Sequence, residues 1–270
     1  MHFYYTAYLS LPGFFMALYL YKQEKMRPLM PGAMIGFVLA ISLAKSRLAL
    51  MSFGLGLFTL GLFFFRDKNR DASLKKTILI GVTIALAVAL GLTLMWQFGT
   101  LASKYILAKG QNNYMDRDFS EYLLNGNVRL KLWAMIPDML KGYAPFSYLF
   151  GIREDVLRAL LDSSLRMSHM HSGYFSALML MGIPGFLMSL VFLFKTIKDM
   201  LYIFLKMKTH RIAPENILLF SIPVCFLFAA VGEPVLFVGY IFRMITLACY
   251  LVSGYVFELA DRIRKEELPC

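Results

Sequence analysis

The chain has few cysteines and few acidic residues. Its 270 residues include three cysteines, and 17 Asp or Glu stand against 28 Lys or Arg. Cys225, Cys249 and Cys270 form no CxxC unit, which argues against a disulfide framework, redox chemistry and a structural zinc site. The net charge of +11 comes from short basic clusters between apolar runs. That distribution indicates membrane topology rather than nucleic-acid binding.

Long polar stretches are also scarce, because 59% of the residues are hydrophobic. Apolar runs of about 18 residues or more recur along the chain, so we predict an all-α, polytopic membrane protein with about seven transmembrane helices. No cleavable signal peptide is expected, since the first apolar run lacks a basic leader and a small-residue cleavage site. The predicted spans cover residues 3–21, 28–44, 48–65, 77–98, 174–194, 217–231 and 238–257.

Charges of both signs gather in one segment, residues 99–170. Its pieces 128–140 and 155–165 space their apolar residues as amphipathic helices do. The four short segments assigned to the cytoplasm hold 16 Lys or Arg, so the positive-inside rule places this large loop outside. The expected organisation is four N-terminal transmembrane helices over 1–98, the loop over 99–170, and three transmembrane helices with a cytoplasmic tail over 171–270.

Three arginines are predicted on the outer side of the membrane. Arg47 follows Ser46 in a short turn, Arg129 lies in the loop, and Arg243 stands early in the last apolar run. A guanidinium stays charged at any working pH and grips phosphate oxygens in a bidentate fork, so these arginines suit a pyrophosphate. Other interpretations stay open: Arg47 snorkels to lipid headgroups, Arg129 is an exposed loop charge, or Arg243 pairs with Glu233.

Two histidines stand where the loop meets the fifth predicted span, in the run Ser168-His169-Met170-His171-Ser172-Gly173. On a helix they would point about 200° apart, and no third ligand has a convincing spacing, so no metal site is expected. His171 suits a general base, because an unperturbed imidazole has a pKa of about 6.5. The open alternative is that His171 lies at the membrane interface with its hydrogen bonds satisfied and has no catalytic role.

Gly182 lies 11 residues after His171. On a regular helix it would fall within about 20° of the same face, roughly three turns below. With Pro184 and Gly185 it predicts a locally kinked helix that a neighbouring helix approaches closely. Such packing would support a catalytic base, and ordinary helix packing explains the same glycines.

His171-Ser172, then nine intervening residues and Gly182-Ile183-Pro184-Gly185, resembles the signature of the O-antigen ligase and O-antigen polymerase superfamily. Ser46-Arg47 is similar to the Ser-Arg element of that family, which opens a span. Arg129 with Leu132-Trp133, followed by Leu149-Phe150-Gly151, is similar to its loop segment, except that Arg153 stands where a second glycine is usual. The resemblance covers about residues 31–257. Family members usually have about a dozen spans, so we expect this chain to be an N-terminally short member.

The resemblance implies a glycosyltransferase of the bacterial inner membrane whose large loop is periplasmic. It implies that a polyprenyl-pyrophosphate-linked glycan is transferred, without metal or other cofactor and with inversion, to a saccharide or lipid-linked acceptor. His171 would be the catalytic base, and Arg47 and Arg129 would bind the pyrophosphate. The residues expected to support them are Ser46, Ser172, Arg243, Glu233 and His169, with Gly182 and Gly185 in helix packing.

Other functions fit the same residues. In a transporter or flippase of lipid-linked saccharides, the arginines would line a pathway and no bond would form. An inactive, truncated membrane subunit and a metal-dependent membrane hydrolase are further alternatives. Ligase and polymerase use the same donor class and differ only in acceptor, so the sequence leaves that choice open.

Overall fold

The structure, a computed structural model, describes residues 3–24, 26–44, 46–106, 132–143, 146–165, 172–232 and 243–267. These residues contain helices and turns and no β-strand, so the all-α prediction is confirmed for this part of the chain. The helices are α1 (Phe3–Lys22), α2 (Met30–Leu43), α3 (Arg47–Lys68), α4 (Leu74–Ile106), α5 (Ile136–Tyr143), α6 (Ser147–Phe150), α7 (Glu154–Leu165), α8 (Gly173–Lys206), α9 (Pro214–Leu219), α10 (Ser221–Gly232) and α11 (Arg243–Glu266).

Three helices are long and apolar enough to cross a membrane within the ranges just given. These candidate spans are Leu48–Lys68 in α3, Lys75–Leu101 in α4 and Gly173–Lys206 in α8. Met30–Leu43 and Asn216–Gly232 are apolar but shorter. The count of about seven spans and the periplasmic side of the loop therefore stay predictions.

Several helices extend beyond the predicted spans. α8 continues to Lys206, past the predicted start of a basic segment at residue 195, and α11 continues to Glu266 through the predicted tail. Lys is a good helix former, and the pair between Lys195 Nζ and Asp199 Oδ2, at 2.9 Å, is a stabilising i,i+4 contact within α8. Hydropathy alone therefore ends these helices too early.

The predicted span 217–231 is divided into α9 and α10. Phe220 is the C-cap of α9, and its N–H binds the carbonyl of Ile217 in a tightened last turn. Pro223 follows in the first turn of α10 and has no N–H to continue the hydrogen-bond ladder of α9. The proline thus accounts for a break that an unbroken apolar run does not predict.

Contacts divide the chain into two units, and the first comprises Met1–Lys104, Phe194–Ala229 and Met244–Cys270. Its core is strongly aromatic. The rings of Phe14 and Phe53 meet edge to face with centroids 4.9 Å apart, and Phe63 meets Phe220 similarly at 5.0 Å. In this edge-to-face arrangement, the partly positive edge of one ring lies on the partly negative face of the other, which is an attractive contact.

A buried carboxylate also joins two helices of the first unit. Asp199 of α8 is 1% exposed and binds Lys195 of its own helix. Arg264 of α11, 65 residues away in the sequence, donates to the other carboxylate oxygen. Since a buried charge is costly unless it is paired, this contact fixes α8 against α11.

The second unit comprises Tyr105–Leu193 and Ala230–Arg243. Its apolar centre is a cluster that we call the loop core, because most of its members come from the predicted outer loop. It consists of Leu132, Ile136, Met139, Leu140, Ile152, Leu157, Leu161 and Met179. Met179 belongs to α8, so the described loop helices pack on the N-terminal half of that helix.

Candidate functional site

Ser46 caps α3 in the first unit. Its backbone is extended (φ −85°, ψ 106°), and its Oγ accepts a hydrogen bond from the N–H of Ala49 at 3.2 Å. The hydroxyl of Tyr8 lies 3.2 Å from the same Oγ, and both side chains are buried. The cap satisfies one of the donors that a helix leaves unpaired at its start. Arg47 is consequently the first residue of α3.

Ser172 caps α8 in the second unit. Its Oγ accepts from the N–H of Phe175 at 3.4 Å and donates to the carbonyl of Ala230, also at 3.4 Å. Its own carbonyl accepts from the N–H and the hydroxyl of Ser176 at 2.9 and 2.7 Å. Ser172 is 2% exposed, so the residue directly after His171 is buried and held on several sides.

Because Ser172 is the cap, the angle expected between His171 and Gly182 around the helix axis also changes. α8 begins at Gly173, so residue 171 precedes the helix and the relation of 100° per residue does not apply from it. Gly182 itself interrupts the helix with φ 69° and ψ −168°. That conformation is accessible to glycine and costly for residues with a Cβ.

The segment that ends α6 packs directly on the kink at Gly182. A Cβ at Gly182 would lie 2.6 Å from the carbonyl oxygen of Tyr148 and would also meet the carbonyl of Leu149. Gly151, with φ 74°, faces the same constraint, because its Cβ would lie 2.5 Å from the carbonyl oxygen of Leu180. Two motif segments, 149–151 and 182–185, are thus in backbone contact.

Ile152 extends this contact by donating its N–H to the carbonyl of Met179 at 2.6 Å. Met179 lies in the turn before Gly182, where the backbone leaves helical geometry. Leu132 is fully buried in the loop core, and Trp133 packs against Phe175 with ring centroids 5.1 Å apart. The structure therefore brings together Leu132-Trp133, the 149–152 segment and the start of α8.

The predicted chemical groups are described only in part. Arg129, His169, His171 and Glu233 lie outside the described residues. The backbones of Arg47 and Arg243 begin α3 and α11, while their side chains lie outside the described part. Their roles, and that of His171 above all, stay predictions.

Gly185 is described, and it also lies at a close approach. A Cβ built there would meet the Cβ of Met181 in the same helix, and the carbonyl oxygen of Ala177 would be 3.3 Å away. The crowding arises because the kink at Gly182 brings successive turns of α8 together. Gly185 therefore accommodates the bend within α8, since the atoms it approaches belong to the same helix.

Sequence reasoning did not find Tyr8, Ala230 or the role of Gly151. The nearest signal was Gly151-Ile152-Arg153, where arginine replaces the second glycine of the family pattern. Arg153 is 82% exposed and binds Asp155 at 2.8 Å. Its guanidinium lowers the pKa of the Asp155 carboxyl below the usual range. The second glycine position thus points to solvent and tolerates a long side chain.

No group of three His, Cys, Asp or Glu that could hold a metal ion occurs among the described residues. The hydrogen bonds described at the two caps are made by the hydroxyls of Ser46, Tyr8 and Ser172 and by backbone groups. Each unit therefore holds a serine next to a predicted site residue, Ser46 before Arg47 in the first unit and Ser172 after His171 in the second.

Apolar helices of membrane-spanning length define the chain as a multi-pass helical membrane protein. The family model for O-antigen ligase matches residues 32–190, more than half of the chain, and the chain belongs to this family. The match runs from α2 through the kink of α8 and includes every motif described above. No curated protein and no solved structure matches the chain. Family membership implies a glycosyltransferase-like enzyme that acts on lipid-linked glycan and saccharide substrates in a membrane.

Proposed function

We propose that the protein transfers a glycan from a polyprenyl-pyrophosphate carrier to a saccharide acceptor at the outer face of the bacterial inner membrane. The observation that carries this proposal is the family match over residues 32–190, which includes Arg47, Arg129 and His171. The acceptor is either a lipid core, as for a ligase, or another lipid-linked repeat, as for a polymerase.

In the proposed reaction, the acceptor oxygen forms a bond to the anomeric carbon of the donor while the bond from that carbon to the pyrophosphate breaks. The bonding electrons leave with polyprenyl pyrophosphate, and the acceptor proton passes to His171, which acts as a general base. Attack from the side opposite the leaving group inverts the anomeric centre. The step needs no metal when cationic side chains neutralise the departing charge.

Arg47 and Arg129 are proposed to supply that neutralisation. Arg47 begins α3, where a positive charge is unfavourable by about 0.3–1 kcal/mol because the N-terminal end of the helix dipole is itself positive. A bound anion would offset this conflict, since both a guanidinium and a helix N-terminus attract negative charge. The position of Arg47 therefore supports a pyrophosphate ligand more than a structural role.

Ser172 is proposed to position His171. Its hydrogen bonds to Phe175 and Ala230 hold the peptide that follows the histidine, and the kink at Gly182 is backed by the 149–152 segment. A base must stay within about 0.5 Å of its productive position, which needs support of this kind. The lipid carrier would add proximity by confining the donor to the plane of the membrane.

The test is a reconstituted assay with labelled donor and acceptor that measures new glycosidic bonds. His171→Ala is expected to lower transfer by about 10²–10⁴-fold, the usual contribution of a general base. His210→Ala is the matched control, because it removes an imidazole outside the matched residues 32–190, and it is expected to retain activity. Full transfer by the His171→Ala protein would remove the base assignment. Translocation of donor without bond formation by the wild type would replace the enzyme by a transporter.

A further inference from the structure

A cavity of about 350 Å³ lies in the first unit, where α1 and α3 end and α9 begins. It is lined by Lys22, Phe64, Phe65, Asp67, Lys68, Asn69 and Pro214. Its volume is within the range of sites that hold small ligands. It belongs to none of the motifs discussed above.

The charge of the cavity is positive. Lys22 is the last residue of α1 and Lys68 the last of α3, and neither forms an ion pair within the described part of the chain. The carboxylate of Asp67 is already engaged by Arg70 at 2.8 Å. Two ammonium groups are therefore left with hydrogen-bond donors for an anion.

The cavity also joins an apolar side to a polar one. Phe64 and Phe65 lie near the end of the candidate span Leu48–Lys68, and the charged residues follow them directly. The side-chain amide of Asn69 donates to the carbonyl of Phe65 at 3.2 Å and so caps the end of α3, where the two phenylalanines meet the charged residues. An inorganic anion would contact only the lysines, whereas an amphiphile with an anionic headgroup would contact the lysines and the phenylalanine rings.

We propose that this cavity binds the headgroup of an anionic glycerophospholipid, with the phosphate between Lys22 and Lys68 and the start of the acyl chains against Phe64 and Phe65. Lysines at a membrane surface attract anionic lipid, and ring faces suit the boundary between headgroup and hydrocarbon. The site is separate from the proposed glycan transfer and does not depend on it.

Native mass spectrometry of the purified protein, with phosphatidylglycerol or phosphatidylcholine added, measures the affinity for the first bound lipid. Wild type is expected to bind phosphatidylglycerol more tightly. Lys22→Gln/Lys68→Gln is expected to lower that affinity about thirty-fold, as the loss of two lysine contacts predicts. The matched control is Lys75→Gln/Lys76→Gln, which removes the same charge from exposed residues that do not line the cavity, and a change below about three-fold is expected.

Equal losses in the two double variants would show diffuse attraction without a site, and no loss in either would also overturn the proposal. Lys22→Arg/Lys68→Arg keeps both charges and should keep the affinity. If it loses as much as the glutamine variant, the effect is structural and the proposal fails. Inorganic phosphate tests the ligand: if it binds alone and displaces phosphatidylglycerol, the cavity is an ion site and the lipid assignment is wrong.

Discussion

α3 and α8 begin in the same way, but their caps are held differently. Ser46 and Ser172 each accept a hydrogen bond from the N–H three residues later. The second contact of Ser46 is to a side chain, the hydroxyl of Tyr8, whereas that of Ser172 is to the backbone carbonyl of Ala230. The first can be altered by substitution of its partner, and the second can be altered only at Ser172.

The order of residues around the two caps also differs. Arg47 follows its serine and has its backbone in the first turn of α3, while His171 precedes its serine and lies before α8. A residue in the first turn shares the electrostatics of the helix end, which favours negative charge. A residue before the cap is connected to the helix through one held peptide, so its placement depends more on what surrounds the cap.

Among the helices that the structure describes, α8 is the one with a residue of non-helical backbone inside it, Gly182, and the largest effect on stability is expected from replacing that glycine. Gly182→Ala places a Cβ against the Tyr148 and Leu149 carbonyls and forces a positive φ, which should cost about 2 kcal/mol or more. Thermal unfolding of the purified protein measures the loss. Gly254→Ala is the matched control, because its Cβ meets nothing within 4 Å and alanine favours a helix by about 0.5–1 kcal/mol. Similar melting of both variants would contradict the role of Gly182.

A smaller effect is expected when the cap of α8 is removed. Ser172→Ala should cost about 1 kcal/mol of helix stability and release the peptide after His171, so transfer should fall about ten-fold. Ser172→Thr retains the hydroxyl and should restore most of the rate. The assay is the labelled transfer described above, with protein amount normalised. Equal rates for the alanine and threonine variants would show that the hydroxyl has no positioning role.

The cap of α3 can be analysed as a pair. Ser46→Ala, Tyr8→Phe and the double variant form a cycle in which the two hydroxyls should couple by about 0.5–1.5 kcal/mol. Thermal unfolding in the same detergent measures the coupling. Additive losses would mean that the two hydroxyls act independently. The contact with Tyr8 would then not distinguish the cap of α3 from that of α8.

The smallest effect is expected at Arg153, which stands where the family has a second glycine. Arg153→Gly removes an exposed pair with Asp155 and should leave folding unchanged within error near neutral pH. Because the Asp155 pKa is lowered in the folded protein, any stabilisation from the pair is present above its ordinary value of about 3.9 and is lost as pH falls through the folded pKa. Unfolding curves at neutral and acid pH check this. A large loss near neutral pH would mean that the arginine has another role.

The sequence predicts local features of this molecule well. Apolar runs locate α2, α3 and the start of α8 to within a few residues, and Gly182 with Pro184 indicates the bend. The family resemblance from the Ser-Arg and His-Ser motifs is confirmed by the family match.

Contacts between distant residues could not be predicted in this way. Tyr8 and Ser46 are 38 residues apart, and Ser172 and Ala230 are 58 apart. Asp199 reads as part of a basic, polar segment, although its partner on α11 makes it a buried residue of a longer helix. Hydropathy and periodicity describe each residue against solvent and its near neighbours, and they contain no information about which remote group supplies a hydrogen bond.

The contact between Gly151 and Gly182 has a consequence for how this part of the chain can change. Each glycine faces backbone atoms beside the other, so a larger residue at one position cannot be accommodated by a smaller one at its partner. Compensating pairs of substitutions are therefore not expected here. A genetic selection that starts from a Gly182 variant should return glycine at that position, or changes that alter the length or path of residues 148–152. It should not return a second substitution that only makes a neighbouring side chain larger or smaller.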